Sequence, residues 1–150
     1  MRKALILIAS VTIINISVQA HGPAVAFGIG PVITLNGAGG SYKDEPSGLL
    51  GATIGFGAAG AGGGGAALAF LRLDYMRDIA NEHNRFFAGA ELWTFPWSGA
   101  ISYANINGSS GISLKLGYTI KKPMINFYAR GGYAGEAFTE LGAQLMVLGF

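Results

Sequence analysis

The sequence predicts an all-β chain: an eight-stranded antiparallel up-and-down transmembrane β-barrel behind an N-terminal signal peptide. Three observations predict it. Segment after segment alternates apolar residues with polar or small ones at period two, the period of a strand and not of a helix. All but one of the apolar faces are four or five positions long, a poor match for a soluble sandwich but a good one for a wall facing lipid. The composition joins 25 glycines and 51% hydrophobic residues to only 12% charged ones, so the chain either packs very tightly or meets lipid.

The leader comes first. Met1-Arg2-Lys3 is basic, Ala4 to Ile16 is almost wholly apolar, and Val18 and Ala20 are small. This is the pattern of a secretory signal cut between Ala20 and His21. Residues 1–20 are therefore read as the signal and residues 21–150 as the barrel domain. Removing Arg2 and Lys3 leaves basic and acidic residues in balance. Nucleic acid is then a poor partner, because no basic patch interleaved with aromatics is present. The chain has no cysteine, which excludes disulfides and thiolate metal sites.

The clearest strand is Gly111 to Lys121. Ile112, Leu114, Leu116, Tyr118 and Ile120 share one face; Ser113, Lys115, Gly117, Thr119 and Lys121 share the other. Seven other segments repeat the pattern. Val25 to Asn36 sets Val25, Phe27, Ile29, Ile33 and Leu35 outward, with Pro31 predicting a bulge or kink. Gly48 to Ala58 sets Leu50, Ala52, Ile54, Phe56 and Ala58 outward over an inner face of Gly and Thr. Ala67 to Tyr75 turns Leu68, Phe70, Arg72 and Asp74 inward. Phe86 to Thr94 turns Gly89, Glu91 and Trp93 inward. Gly99 to Asn105 is a short strand, Met124 to Tyr133 turns Asn126, Tyr128 and Arg130 inward, and Phe138 to Phe150 closes the chain.

The expected connections are a solvated loop at Gly37–Ser47, a glycine-rich one at Ala59–Gly65, and a charged loop at Arg77–Asn84. An aromatic turn follows at Phe95-Pro96-Trp97, then turns at Asn105–Ser110, Lys121–Pro123 and Ala134–Ala137. The competing reading is helical. Gly48 to Leu71 has no charge and is long enough for a membrane helix, with Gly51, Gly55 and Gly63 at packing intervals. The glycines of Gly62–Gly65 would weaken such a helix by nearly 1 kcal/mol each.

With its eight alternating strands, its leader and the ending L-M-V-L-G-F, the chain resembles the small bacterial outer-membrane β-barrel family. The resemblance implies an outer-membrane location, contact with outer-membrane lipids including lipopolysaccharide, and recognition by the barrel assembly machinery. That machinery reads a terminal aromatic with apolar residues at alternate positions before it, matched here by Met146, Leu148 and Phe150. Gln144 does not match, and Leu141, Ala143, Leu145 and Val147 form the more apolar face. A bulge near Leu145–Val147 would reconcile the two registers.

The inner faces collect Arg72, Asp74, Glu91, Lys115, Arg130 and Glu140. Three cations and three anions in a narrow lumen read as a salt-bridge plug in preference to an ion path, because eight strands leave an interior that side chains just fill. Some barrels of the resembled family modify lipid A acyl chains, which would require a nucleophile beside a base. His83 is the only candidate base besides His21, and nothing in the spacing brings Ser98, Ser102, Ser109, Ser110 or Ser113 to it. Neither a metal set nor a cofactor-binding fingerprint is present. The expected role is non-enzymatic: a structural or surface-interaction protein with a filled lumen. A lipid-modifying enzyme is the runner-up and a small porin-like passive channel comes third. Contact with an unknown surface ligand is expected through Lys43, Asp44, Glu45, Arg77, Asp78, Glu82 and His83, since exposed loops on rigid scaffolds carry binding.

Overall fold

Period-two alternation becomes a single antiparallel sheet. The computed structural model describes residues 14–18, 25–62, 65–121 and 124–148, and the side chains of residues 28–61, 66–120 and 124–147. The described residues form nine strands: β1 (Ile14–Val18), β2 (Val25–Tyr42), β3 (Glu45–Gly62), β4 (Gly65–Asp78), β5 (Asn84–Thr94), β6 (Trp97–Ile106), β7 (Ser109–Lys121), β8 (Met124–Ala134) and β9 (Glu136–Leu148). Each pairs with its sequence neighbour, and β2 also pairs with β9, so β2 to β9 close an eight-stranded barrel.

The stagger of the barrel can be read from its register. Partners run from Val32 through Gly55, Arg72, Gly89, Ser102, Ser113, Gly132 and Phe138 back to Tyr42. One circuit therefore climbs from position 32 to position 42 of β2. A stagger of that size in eight strands tilts them by roughly 40° and leaves room for side chains only.

The large apolar residues point out. Leu50, Ile54, Phe56, Leu71, Leu92, Ile101, Ile112, Leu114, Leu116, Phe127, Leu141 and Val147 are all exposed. Between the ends of the strands, no charged residue joins them on the outer face. Tyr75, Phe86, Tyr103 and Tyr133 are exposed toward one end of this belt; Trp97 and Tyr118 lie toward the other, with ring centroids 5.3 Å apart.

The sheet corrects several expectations. The helical alternative for Gly48–Leu71 fails, because β3 and β4 pair residue by residue from Leu49↔Asp78 to Gly62↔Gly65. Gly37–Ser47 is not a loop. β2 and β3 run through it to a two-residue turn at Lys43 and Asp44, both at positive φ, the backbone that matches strand twist in a tight hairpin. Pro31 makes no bulge against β3, where it pairs with Phe56 in unbroken register. Its other side falls between β1, which pairs with β2 up to Ile29, and β9, which begins at Ile33. A residue without an N–H is tolerated at such a gap.

The sixth strand is longer than expected, Trp97–Ile106, and the expected turn Ala134–Ala137 shrinks to Gly135 at φ 74°. Asn107-Gly108 forms the fifth hairpin turn, with φ values of 50° and 86°. Gly63–Gly64, Lys122–Pro123 and Phe150 lie outside the described residues. So does most of the expected leader, apart from β1.

Bare inner walls make space for large groups opposite. A Cβ on Gly57 would collide with the Ala69 carbonyl and with Phe70. Gly57→Ala is therefore expected to destabilise the barrel by about 1–3 kcal/mol. The readout is the urea midpoint of the refolded protein in detergent, with Gly48→Ala unchanged because open space surrounds that position.

Candidate functional site

The connections at 43–44, 79–83, 107–108 and Gly135 lie at one end of the barrel, here the upper end. Phe95–Pro96 and the end of β9 lie at the lower end. Inward side chains stack in three layers between them.

The upper layer is apolar: Tyr42, Leu49, Met76, Phe87, Ala104, Ile106, Ala134 and Phe138. Phe87 and Phe138 pack with centroids 5.9 Å apart, and the Tyr42 hydroxyl donates to the Ala134 carbonyl at 3.0 Å. The lower layer is also apolar: Val32, Leu68, Phe70 and Trp93, with Met146, Met124 and Phe95 against them.

Charge fills the space between and continues past the upper layer. Lys115 contacts Glu91 at 2.5 Å, and Glu91 accepts from Trp93 Nε1 at 2.7 Å. Glu91 also pairs with Arg72, which grips Asp74 through both Nε and a terminal nitrogen. Asp74 meets Arg130 at 2.6 Å, and Arg130 meets Glu140 at 3.2 Å. Glu140 meets Arg85 at 3.0 Å, and Arg85 reaches Asp78 at 3.6 Å. One chain of ion pairs thus runs from above the lower apolar layer to the upper end of the lumen.

All eight members are buried. Burying one charge without a partner costs several kcal/mol, so such a chain needs matching numbers of each sign. It has them: Arg72, Arg85, Lys115 and Arg130 against Asp74, Asp78, Glu91 and Glu140. Neutral groups take the remaining bonds. Lys115 donates to Gln144, Gln144 to Thr34, Thr34 to Asn36, and Asn36 to Thr53, all at 2.8–3.0 Å. The Arg130 guanidinium lies 3.9 Å from the Phe87 ring centre, joining the charged layer to the upper apolar one.

The structure gathers Arg72, Asp74, Glu91, Lys115, Arg130 and Glu140 into this network. It adds Arg85 and Asp78, which sequence reading missed. Asp78 was expected on an exposed loop, but β4 continues to it, and it shares the inward face of Arg72, Asp74 and Met76. Arg85 had the same signal, because it keeps step with Phe87, Glu91 and Trp93 along β5.

The contact candidates lie on two neighbouring connections, tied by Asn81 Nδ2 donating to the Pro46 carbonyl at 2.9 Å. Lys43, Asp44 and Glu45 are exposed on a hairpin tip, and Arg77 and Glu82 are exposed near the third connection. His83 packs edge-on against Tyr42, 6.4 Å between centroids. Among the described residues, no group of three or more His, Asp or Glu side chains could hold a metal.

At the end of the chain, Leu148 pairs with Ile33 and Met146 with Thr34, so the register slips at Val147. Met146 packs inward against the lower layer, while Val147 and Leu145 are exposed.

No protein-family model matches the chain, and no curated protein does. A solved structure described as "De novo design of transmembrane beta-barrels" is similar at a TM-score of 0.45 and 13% identity, covering 77% of this chain and 95% of that one.

Proposed function

We propose that the protein is a non-enzymatic, non-conducting barrel of the outer membrane of a Gram-negative-type bacterium. It reaches that membrane behind a cleaved signal, is inserted by the barrel assembly machinery, and stands among outer-membrane lipids including lipopolysaccharide. Its role is structural, with the upper hairpin tips presenting Lys43, Asp44, Glu45, Arg77 and Glu82 for contact at the cell surface.

The observation that carries this reading is the inversion of the molecule: oily residues cover the outside and paired charges fill the inside. A protein in water gains from burying apolar area, and this wall does the opposite along every strand from β3 to β9. The outward face of β3 from Leu50 to Gly60 spans roughly 25 Å once tilt is allowed for, the height of an apolar band in membrane barrels. Two apolar layers and an ion-paired one leave no free path for hydrated ions. A structural role is also favoured over lipid chemistry. His83 sits at the upper end against Tyr42, whereas Ser98 accepts from Asn126 near the lower end and the Ser110 hydroxyl is engaged by Tyr103 and Asn105.

The test is conductance of the refolded protein in a planar lipid bilayer, beside an assay for cleavage of labelled lipid A. No current steps and no released acyl chain are expected. Steady unitary conductance would overturn the filled lumen, and acyl release that depends on His83 would overturn the non-enzymatic role.

A further inference from the structure

β2 and β3 each have 18 residues, while the strands β4 to β9 have 10–14. The surplus lies at the lower end. The described part of β9 ends with Leu148 opposite Ile33. Beyond that level β2 keeps its β3 partner, from Pro31↔Phe56 to Ala26↔Ala61, but among the described residues its other edge meets no β9. β1 takes the place: Ile14 pairs with Ile29, Asn15 with Gly28, Ile16 with Phe27, Ser17 with Ala26 and Val18 with Val25. Two segments from opposite ends of the chain thus share one edge, end to end, with Pro31 in the gap.

β1 lies wholly within the stretch that sequence reading assigns to a removable leader. Its departure bares the N–H and C=O groups that β2 turns to that side between Val25 and Ile29. A bare strand edge is a template for another chain, and main-chain hydrogen bonds give an added strand its affinity.

We propose that the β2 edge from Val25 to Ile29 is a strand-acceptor site. The full chain fills it with its own Ile14–Val18; once that stretch leaves, it takes an extended segment of a partner polypeptide. The seated strand shows what the edge admits: five residues in antiparallel register, I-N-I-S-V, apolar alternating with polar and uncharged. The proposal rests on the barrel geometry and on loss of the leader. It does not depend on whether the lumen conducts.

The chain has no cysteine, so introduced pairs report without background. In the full chain in detergent, Ser17→Cys with Ala26→Cys joins register partners and is expected to form a disulfide. Ser17→Cys with Gly30→Cys is four residues out of register and should not. The full chain carrying Asn15→Pro and Ile16→Pro, which unseats β1, is then probed with a fluorescent peptide of the Ile14–Val18 sequence. It should bind the peptide saturably, and the oxidised first variant about ten-fold more weakly, because there the edge is locked shut. Heat-modifiable gel migration identifies the folded barrel in each case. No disulfide, or equal peptide binding by the two proteins, overturns the proposal. Dimers of the proline variant in place of peptide binding would assign the edge to a second copy and overturn it as well.

Discussion

Arg130→Met is expected to destabilise the barrel by about 3–5 kcal/mol, the cost of removing one partner from a buried ion pair. Arg130 is the middle link of the lumen chain, held by Asp74 at 2.6 Å and Glu140 at 3.2 Å. Methionine keeps apolar contact with Phe87 but leaves two buried carboxylates short of a cation. Urea unfolding in detergent micelles reads the loss, with fully buried Trp93 as the fluorophore. Pairing the change with Glu140→Gln is the sharper measurement. The double variant restores the balance of sign, so it should cost less than the two single changes added together. Strict additivity would mean that the two charges do not sense each other. Thr139→Ala, beside Glu140 but exposed, should stay within about 0.5 kcal/mol.

The second large effect is expected on the outside. Leu116→Arg should cost about 2–4 kcal/mol when the protein is folded into lipid vesicles, the range for a cation on the lipid face of a membrane barrel. Leu116 is the middle of five outward residues on β7, and 72% of it is exposed. Ile79 is 61% exposed but lies on the third connection, above the belt. Ile79→Arg should therefore change stability by no more than about 0.5 kcal/mol. Two apolar residues that are both largely exposed are thus expected to differ several-fold in cost, and the difference measures which medium each one faces. Equal, small costs would place Leu116 in water and sink the membrane reading.

The barrel walls were legible because period two is hard to counterfeit. Glu91 and Trp93 turn inward and Leu92 outward, as alternation requires. Two kinds of residue misled. Glycines usually punctuate a chain, so Gly37, Gly39 and Gly40 read as loop. In β2 they are wall, and a Cβ on Gly40 would strike the β9 backbone at Thr139. Charges usually mark solvent, so Asp78 at the edge of a charged run read as exposed. Here the solvent-like interior is the lumen, and Asp78 faces Arg85 inside it. The last strand offered two registers in the sequence, and the structure takes the one that turns Glu140, Gln144 and Met146 inward. The ladder to β2 then slips at Val147, between Met146 and Leu148. A pattern that never shifts would have been easier to read and would have set a different residue opposite Ile33.

The five residues from Ile79 to His83 are the longest described connection; the other three at the upper end have one or two residues each. A protease needs a run of free backbone to seat a cut, and a foreign epitope needs slack at both of its ends. The refolded protein should therefore be nicked at this connection before any other upper one, and a short tag placed after Asn81 should be reached by antibody while the wall beneath it stays shut.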